Sequence, residues 1–410
     1  MHDVNCRFCE TPLKHSFVDL GMSPLSNSYL TADQLNVMEP FYPLHLFVCS
    51  QCFLVQLPEF QSPEQIFSDY AYFSSYSKSW LEHAKAYVAS MVQRFGFNDQ
   101  SQVVEVASND GYLLQYFHEQ KIPVLGVEPA QNVADVAIAA GIPTETKFFG
   151  ASTAEELKNN GFAADLLLGN NVLAHVPDIN DFVTGLKILL KPHGVITMEF
   201  PHLLNMMELS QFDTIYHEHF SYLSRLTVER IFALHGLSIF DVEELSTHGG
   251  SLRIFATHAE QNVSISGSVN VLRERELANG LNRVAGYASF AQKVFKVKLD
   301  LLEFLSQVKR QGKSVAAYGA PAKGNTLLNH CGIRKDFLDY TVDLSPHKQG
   351  LFLPGTRIPI LNPDKISETK PDYLLILPWN LKDEIVEQMG HIRNWGGQFI
   401  LPIPELQVVA

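Results

Sequence analysis

The sequence predicts a mixed α/β protein, with a metal-held N-terminal module followed by two α/β units built on parallel sheets. Three observations carry this. Four of the five cysteines fall in two C-x-x-C pairs, Cys6–Cys9 and Cys49–Cys52. From residue 102 short apolar strands alternate with helical stretches, and a second alternation begins at 314. Strands alternating with helices cover both faces of a parallel sheet.

The chain has 410 residues, 46% of them hydrophobic and 18% charged, which suits a globular protein of two or three domains. The formal net charge of −13 makes nucleic acid a poor partner, because it repels phosphate backbones at long range. A small phosphorylated ligand needs only one or two local cations and is not excluded. The start, MHDVNCRFCE, lacks a cationic stretch followed by an apolar run, so no signal peptide is expected. No run of 18 apolar residues is present and no membrane partner is expected. An odd cysteine count, with Cys331 alone, fits a metal-bound quartet and one free thiol in a reducing cytoplasm better than a disulfide framework.

Two residues between cysteines let both thiolates of a turn face one ion, and two such turns complete a tetrahedral Zn²⁺ shell. Four sulfurs leave no open position, so the metal is expected to be structural and the chemistry to lie elsewhere. The module is expected over 1–66. Residues 62–78 are polar and aromatic and read as a loop or short lid. Trp80, Ala84, Tyr87, Val88, Met91 and Val92 fall near helical spacing, which predicts a helix over 79–95. Strands are predicted at 102–107, 124–129, 165–172 and 194–200, with helices near 132–140 and 180–190. Residues 270–310 read as mostly helical. The second unit, 311–410, has strands in SVAAYGA, FLDYTVD, DYLLILPWN and QFILPIP, a helix starting in PAKGNTLLNH and another in KDEIVEQMG.

The first candidate site is the strand–turn–helix VVEVASNDGYLL. Small residues let backbone approach a ligand and the helix start offers free N–H groups. It is not G-x-G-x-x-G, and Glu105 suits a cationic amino group better than a pyrophosphate. Glu128, 23 residues on in GVEP, can accept ribose hydroxyls. Asn170 and Asn171 follow a later strand in GNNVLAHVPD. Together these resemble a class I S-adenosylmethionine methyltransferase, with Ser108 and Asn109 standing where glycines are more usual.

The second is QFDTIYHEHFSYLS (211–224), which gathers Tyr216, His217, Glu218, His219 and Tyr222. In a strand 217 and 219 share a face; in a helix 218 and 222 do. A neutral imidazole can remove a carbon-bound proton, a carboxylate can orient it, and a phenol can stabilise an enolate. HGGSLR (248–253) offers a flexible turn with Ser251 and Arg253 for a ligand anion. YGAPAKGNTLLN (318–329) puts Lys323 and Asn325 at a helix start, a plausible diphosphate site.

The cysteine quartet, EVASNDGYLL, GVEP, YHEHFSYLS, HGGSLR and YGAPAKGNT, in that order, resemble the sugar C-methyltransferase family, over nearly the whole chain. The resemblance implies zinc on Cys6, Cys9, Cys49 and Cys52, and a central Rossmann-like class I methyltransferase domain (67–245). It implies a second Rossmann-like α/β domain (246–410) that contributes to sugar-nucleotide binding. Glu105, Ala107, Ser108, Asn109, Gly111, Glu128, Pro129, Asn170 and Asn171 would line S-adenosylmethionine. Tyr216, Glu218, His219 and His175 would be catalytic, with a linker tyrosine, Tyr70 or Tyr72. Ser251, Arg253, Lys323 and Asn325 would meet substrate. The reaction implied is methyl transfer to C3 of a TDP- or GDP-linked 4-keto-deoxysugar through an enolate, in branched-deoxysugar biosynthesis, by a cytoplasmic monomer or weak homodimer. Two rivals stand beside it: an O- or N-methyltransferase of a related sugar nucleotide, and a non-enzymatic zinc-ribbon binding protein, against which the Glu105/Glu128 pair argues.

Overall fold

The structure is a computed structural model that describes residues 4–62 and 73–409. The chain forms two compact units, each assembled from separated segments. The first comprises 1–14, 49–203 and 220–284; the second comprises 15–48, 204–219 and 285–410. Each unit thus gathers residues from more than one of the stretches 1–66, 67–245 and 246–410.

In the first unit the sheet has seven strands: β1 (Val103–Val106), β2 (Val124–Val127), β3 (Thr144–Glu145), β4 (Ala164–Asn170), β5 (Leu190–Pro201), β6 (Leu237–Leu245) and β7 (Ser251–His258). Their order is β6-β7-β5-β4-β1-β2-β3. All neighbours from β5 to β3 are parallel, and β7 runs antiparallel between β5 and β6. Strand order reverses at β1, so a crevice opens beyond the carboxyl ends of β1 and β4, where such sheets bind ligands.

Strand periodicity sends alternate side chains to opposite faces. Val103, Val124, Leu166 and Leu168 pack with Ala84, Tyr87, Val88 and Met91 of the helix Lys78–Phe95. Val104, Val106, Leu125, Val127 and Leu167 join a core on the other side that includes Cys6, Phe8, Cys49, Cys52 and Leu54. The cysteine turns are thus held by the sheet as well as by an ion. Helix Lys78–Phe95 matches its expected span; Ser77 caps it by accepting the Trp80 N–H, and Gly96 closes it at φ +72°.

In the second unit, six strands run in the order β10-β9-β8-β11-β12-β13: β8 (Val315–Tyr318), β9 (Thr341–Val342), β10 (Ile360–Leu361), β11 (Tyr373–Ile376), β12 (Gln398–Leu401) and β13 (Gln407–Val409). All pairings are parallel except β12–β13. Order reverses at β8, again leaving a switch point. The unit also holds the long helix Phe290–Arg310 and the antiparallel pair His15–Ser23 and Tyr42–Val48, with Phe17 stacked on Phe290 at 4.7 Å.

Several local expectations change. The helix after β1 is short, Leu114–Glu119, because Ala107, Asn109 and Gly111 all adopt positive φ and delay its start. Segment 211–224 is neither helix nor extended strand up to its last residues. It is a 3₁₀ turn at Phe212–Thr214, then a turn closed by the His219 N–H on the Tyr216 carbonyl (3.0 Å), and Ser221–Tyr222 pair with Val55–Gln56. HGGSLR is not a flexible turn throughout: Ser251 and Arg253 belong to β7. Among the described residues no helix is long and apolar enough to cross a membrane.

Candidate cofactor, acid–base and metal sites

The two cysteine turns repeat one geometry. In each, the first cysteine's N–H bonds the carbonyl five residues on (Cys6 to Thr11, 2.8 Å; Cys49 to Leu54, 3.0 Å). Its carbonyl accepts the N–H four residues on (Glu10, 3.0 Å; Phe53, 3.2 Å), and those fourth residues turn at φ +58° and +63°. The four sulfurs lie within 4.8 Å of one another, with Cys6–Cys52 and Cys9–Cys49 both at 3.5 Å. Zn–S bonds of about 2.3 Å set tetrahedral sulfurs about 3.8 Å apart, so the quartet fits one zinc ion. The Gln56 amide donates to Cys6 Sγ (3.1 Å) and the Gln51 N–H to Cys49 Sγ (3.4 Å), bonds that favour thiolates. Cys331 lies apart, 3% exposed, its thiol pushed up to about 12 by burial.

At the β1–β4 crevice the chain stores backbone strain. Ala107 (φ +57°), Asn109 (+50°) and Asn171 (+56°) are left-handed without being glycine, at the ends of the two switch-point strands. Gly111 (φ +79°) follows, and a Cβ there would meet Ile142 at 3.1 Å. Glu105 is fully buried, and neither carboxylate oxygen has a hydrogen-bond partner. Burial, with the carboxylates of Asp110 and Glu128 adding to it, lifts its pKa well above the ordinary range. The Tyr112 hydroxyl, close enough to act on it, lowers the pKa only in part; a buried carboxylate is costly without a counter-charge, and the place fits a cationic amino group. The Asn170 Oδ1 is likewise buried without a partner, while its Nδ2 donates to the Tyr112 hydroxyl at 3.3 Å.

Glu128, 5% exposed, accepts the Asn109 N–H (3.0 Å) and the Ala130 N–H (2.9 Å). Each oxygen keeps a lone pair for a ribose hydroxyl. Pro129 follows it, half-buried. Ser108 is completely buried; a Cβ on Gly126 would stand 2.4 Å from its Oγ, so Ser108 packs on the sheet. These residues fit an adenosyl cofactor: an anion for its amino group, a carboxylate for its ribose, and a tight strained loop between them. His175 ends the 3₁₀ turn Leu173–His175 just beyond β4, half-buried. Tyr70 and Tyr72 lie outside the described residues.

Sequence reasoning missed a network behind this crevice. Glu199 on β5 receives His83 Nε2 (2.9 Å) and Arg253 Nε (2.7 Å), and Arg253 Nη1 reaches Glu243 (2.6 Å). Arg253 also lies over the Tyr87 ring at 4.7 Å. Its guanidinium thus engages two carboxylates and one ring, 5% exposed. Ser251, 1% exposed, donates to the Thr247 carbonyl at 3.1 Å. A strand address, with a glutamate opposite at Glu199, was the signal available.

In the second unit the turn Tyr216–His219 collects the acid–base groups. His219 Nδ1 lies 2.9 Å from the Thr214 carbonyl, which can only accept. Nδ1 therefore carries the proton, and in the neutral ring Nε2 holds the basic lone pair. The Tyr216 ring is 4.1 Å from the His219 ring. Glu218 is 6% exposed, and burial lifts it to about 7, against a 2.6 Å bond from Asn27 Nδ2. His217 instead donates from Nε2 to the Pro43 carbonyl (3.2 Å) and meets the Tyr42 ring edge-on. Lys323 and Asn325 lie on the first turn of helix Ala322–Cys331. The Lys323 ammonium stands 4.7 Å over the Trp379 ring and donates to Asn380 (2.7 Å); burial lowers its pKa. Trp379 Nε1 donates to buried Asp213 at 2.6 Å. Asn325, 1% exposed, spends its amide on the Ser26 carbonyl (2.6 Å).

Comparison with known proteins adds three family models. A C-methyltransferase C-terminal domain matches residues 246–404, a zinc binding domain matches 6–67, and a methyltransferase domain matches 80–242. The chain is 36% identical over 405 residues to the C-methyltransferase NovU of Streptomyces niveus, covering 99% of this chain and 96% of that protein. A ubiquinone biosynthesis O-methyltransferase of Bartonella tribocorum is 31% identical over 99 residues, 24% of this chain and 40% of that protein. Among solved structures, the magnesium protoporphyrin IX methyltransferase ChlM of Synechocystis PCC 6803 with bound SAH is similar at a TM-score of 0.36 and 16% identity. It covers 43% of this chain and 83% of that one.

Proposed function

The chain belongs to the S-adenosylmethionine-dependent C-methyltransferases with an N-terminal zinc module, and from that premise we propose its substrate and chemistry. It methylates C3 of a TDP- or GDP-linked 4-keto-deoxysugar through an enolate, as a cytoplasmic enzyme of branched-deoxysugar synthesis. Residues 246–410 contribute to holding the sugar nucleotide.

The observation that carries the reading is the His219 tautomer, fixed by Thr214 so that Nε2 is basic. A C4 carbonyl acidifies the C3 hydrogen. His219 Nε2 takes that proton, and the C–H electrons move onto the C4 oxygen. Tyr216, with His175, donates hydrogen bonds to that oxygen; such preorganised donors are worth about 3–4 kcal/mol each. Glu218 orients a sugar hydroxyl. Glu105, Glu128 and Asn170 would hold S-adenosylmethionine, whose sulfonium would supply an electrophilic methyl to C3, with the S–C bonding pair staying on sulfur and S-adenosylhomocysteine leaving. The proton then leaves the imidazolium for solvent. Lys323 meets the diphosphate.

Deuterium exchange tests this. The protein incubated with a 4-keto sugar nucleotide and S-adenosylhomocysteine in D₂O is expected to put deuterium at C3. His219→Gln should abolish that exchange while S-adenosylhomocysteine still binds. Exchange at the parent rate in the variant removes His219 as the base. No ring-carbon exchange in the parent favours methylation of oxygen or nitrogen instead.

A further inference from the structure

We propose that Asp343 is a nucleoside-binding carboxylate, taking the sugar hydroxyls of the bound nucleoside diphosphate in the second α/β unit as Glu128 takes those of the cofactor in the first. The proposal rests on the sugar-nucleotide reading above and adds a residue to it.

The two sheets place these carboxylates at matching positions. In the first, β2 pairs with β1 through Val106 and Val127, and Glu128 is the next residue. In the second, β9 pairs with β8 through Tyr318 and Val342, and Asp343 is the next residue. The loop after each central strand starts alike: the Ala107 N–H bonds the Val127 carbonyl at 2.7 Å, and the Gly319 N–H bonds the Val342 carbonyl at 2.7 Å. Both residues are left-handed, at φ +57° and +90°. Each acid sends its own N–H to the third strand, Glu128 to Glu145 and Asp343 to Leu361.

The carboxylates are used alike. Glu128 accepts one N–H from the loop after β1 and one from two residues downstream. Asp343 accepts the Ala320 N–H (2.7 Å) from the loop after β8 and the Ser345 N–H (2.8 Å), two residues downstream. Each oxygen keeps a lone pair, and the Asp343 side chain is 15% exposed, enough to meet a hydroxyl. Acids at the end of the second strand bind ribose hydroxyls in dinucleotide folds for the same geometric reason. A cation stands where a linked phosphate would need one: Lys348 Nζ is 3.9 Å from Asp343 and 3.0 Å from the Ala320 carbonyl. Lys323 opens the helix that follows the same loop.

The test varies the ligand and the protein together. Calorimetry on the full chain would compare whichever of thymidine and guanosine diphosphate binds tighter with its 3′-deoxy analogue, alongside inorganic pyrophosphate. Loss of the 3′-hydroxyl should weaken binding to the parent about tenfold, the scale of one hydrogen bond to a charged group. In Asp343→Asn that difference should shrink to within about twofold, with pyrophosphate and S-adenosylhomocysteine affinities unchanged. Equal affinity of the parent for both nucleotides overturns the proposal. So does an equal loss of pyrophosphate binding in the variant, which would make Asp343 a loop brace. If Asp343→Asn does not fold, the parent's comparison still decides. If the parent binds neither nucleotide but does bind S-adenosylhomocysteine, the sugar-nucleotide reading itself falls.

Discussion

At the scale of single residues, burial decides protonation. Glu218 lies in a site where ionisation is costly, and its pKa rises to about 7. The native state then holds a proton that the unfolded chain gives up near the ordinary 4.5. Its stabilising contribution is complete below about pH 4.5, fades as pH climbs through about 7, and is absent above. Glu218→Gln removes this dependence while its amide oxygen still accepts from Asn27. Urea midpoints at pH 5 and pH 8 should show the variant gaining on the parent at the higher pH, by up to about 3 kcal/mol. An identical gap at both pH values would show that Glu218 ionises normally. Asp213, raised to about 6 by burial, has the same sign in both proteins and cancels in the comparison.

At the scale of elements, the cysteine turns and the loop after β1 show two ways of holding a turn. The cysteine turns share one hydrogen-bond plan, but four thiols within 4.8 Å cannot all ionise without a cation. Their neighbours' hydrogen bonds hold Cys49 low while Cys52 is driven up. Zinc makes four thiolates tolerable at once. One zinc per chain is therefore expected by metal analysis, and strong chelation should lower the melting temperature. Because Cys6 and Cys49 share a core with Val104 and Leu167, the loss should spread into the first sheet, seen as faster amide exchange in β1 and β4. Retention of full stability after complete zinc removal would contradict this. The loop after β1 is held by hydrogen bonds. Its left-handed Asn109 is braced by Glu128 and by the Ser74 N–H on its own side chain at 2.8 Å.

At the scale of the whole molecule, the chain leaves each unit and returns to it, so neither unit is a continuous stretch. β7, residues 251–258, lies between β5 and β6. A fragment of residues 1–245 lacks it and exposes the facing edges of two strands. That fragment should fail to show a cooperative thermal transition or to bind S-adenosylhomocysteine, whereas the full chain does both. A cooperatively melting, cofactor-binding fragment would show that β7 is dispensable. A fragment of 285–410 likewise lacks the 15–48 segment whose Phe17 packs on Phe290.

What the sequence determined by itself was whatever depends on short spacing. C-x-x-C fixes two sulfurs in one turn, alternating apolar residues fix strand faces, and Glu105 and Glu128 fall at strand ends because period and length put them there. Helix 78–95 was legible because its apolar residues repeat every three or four positions and Ser77 and Gly96 close it. Tertiary structure alone decided matters that turn on distant partners. The pairing of Arg253 with Glu199, 54 residues away, cannot be read from the sequence around either. The 211–224 segment had no local period, and its turn was set by carbonyls and by Asn27 rather than by propensity. The matching places of Glu128 and Asp343 appear only once parallel strands bring each acid beside the loop of its neighbour, because a hydrogen bond across about twenty residues leaves no trace in either one's local sequence.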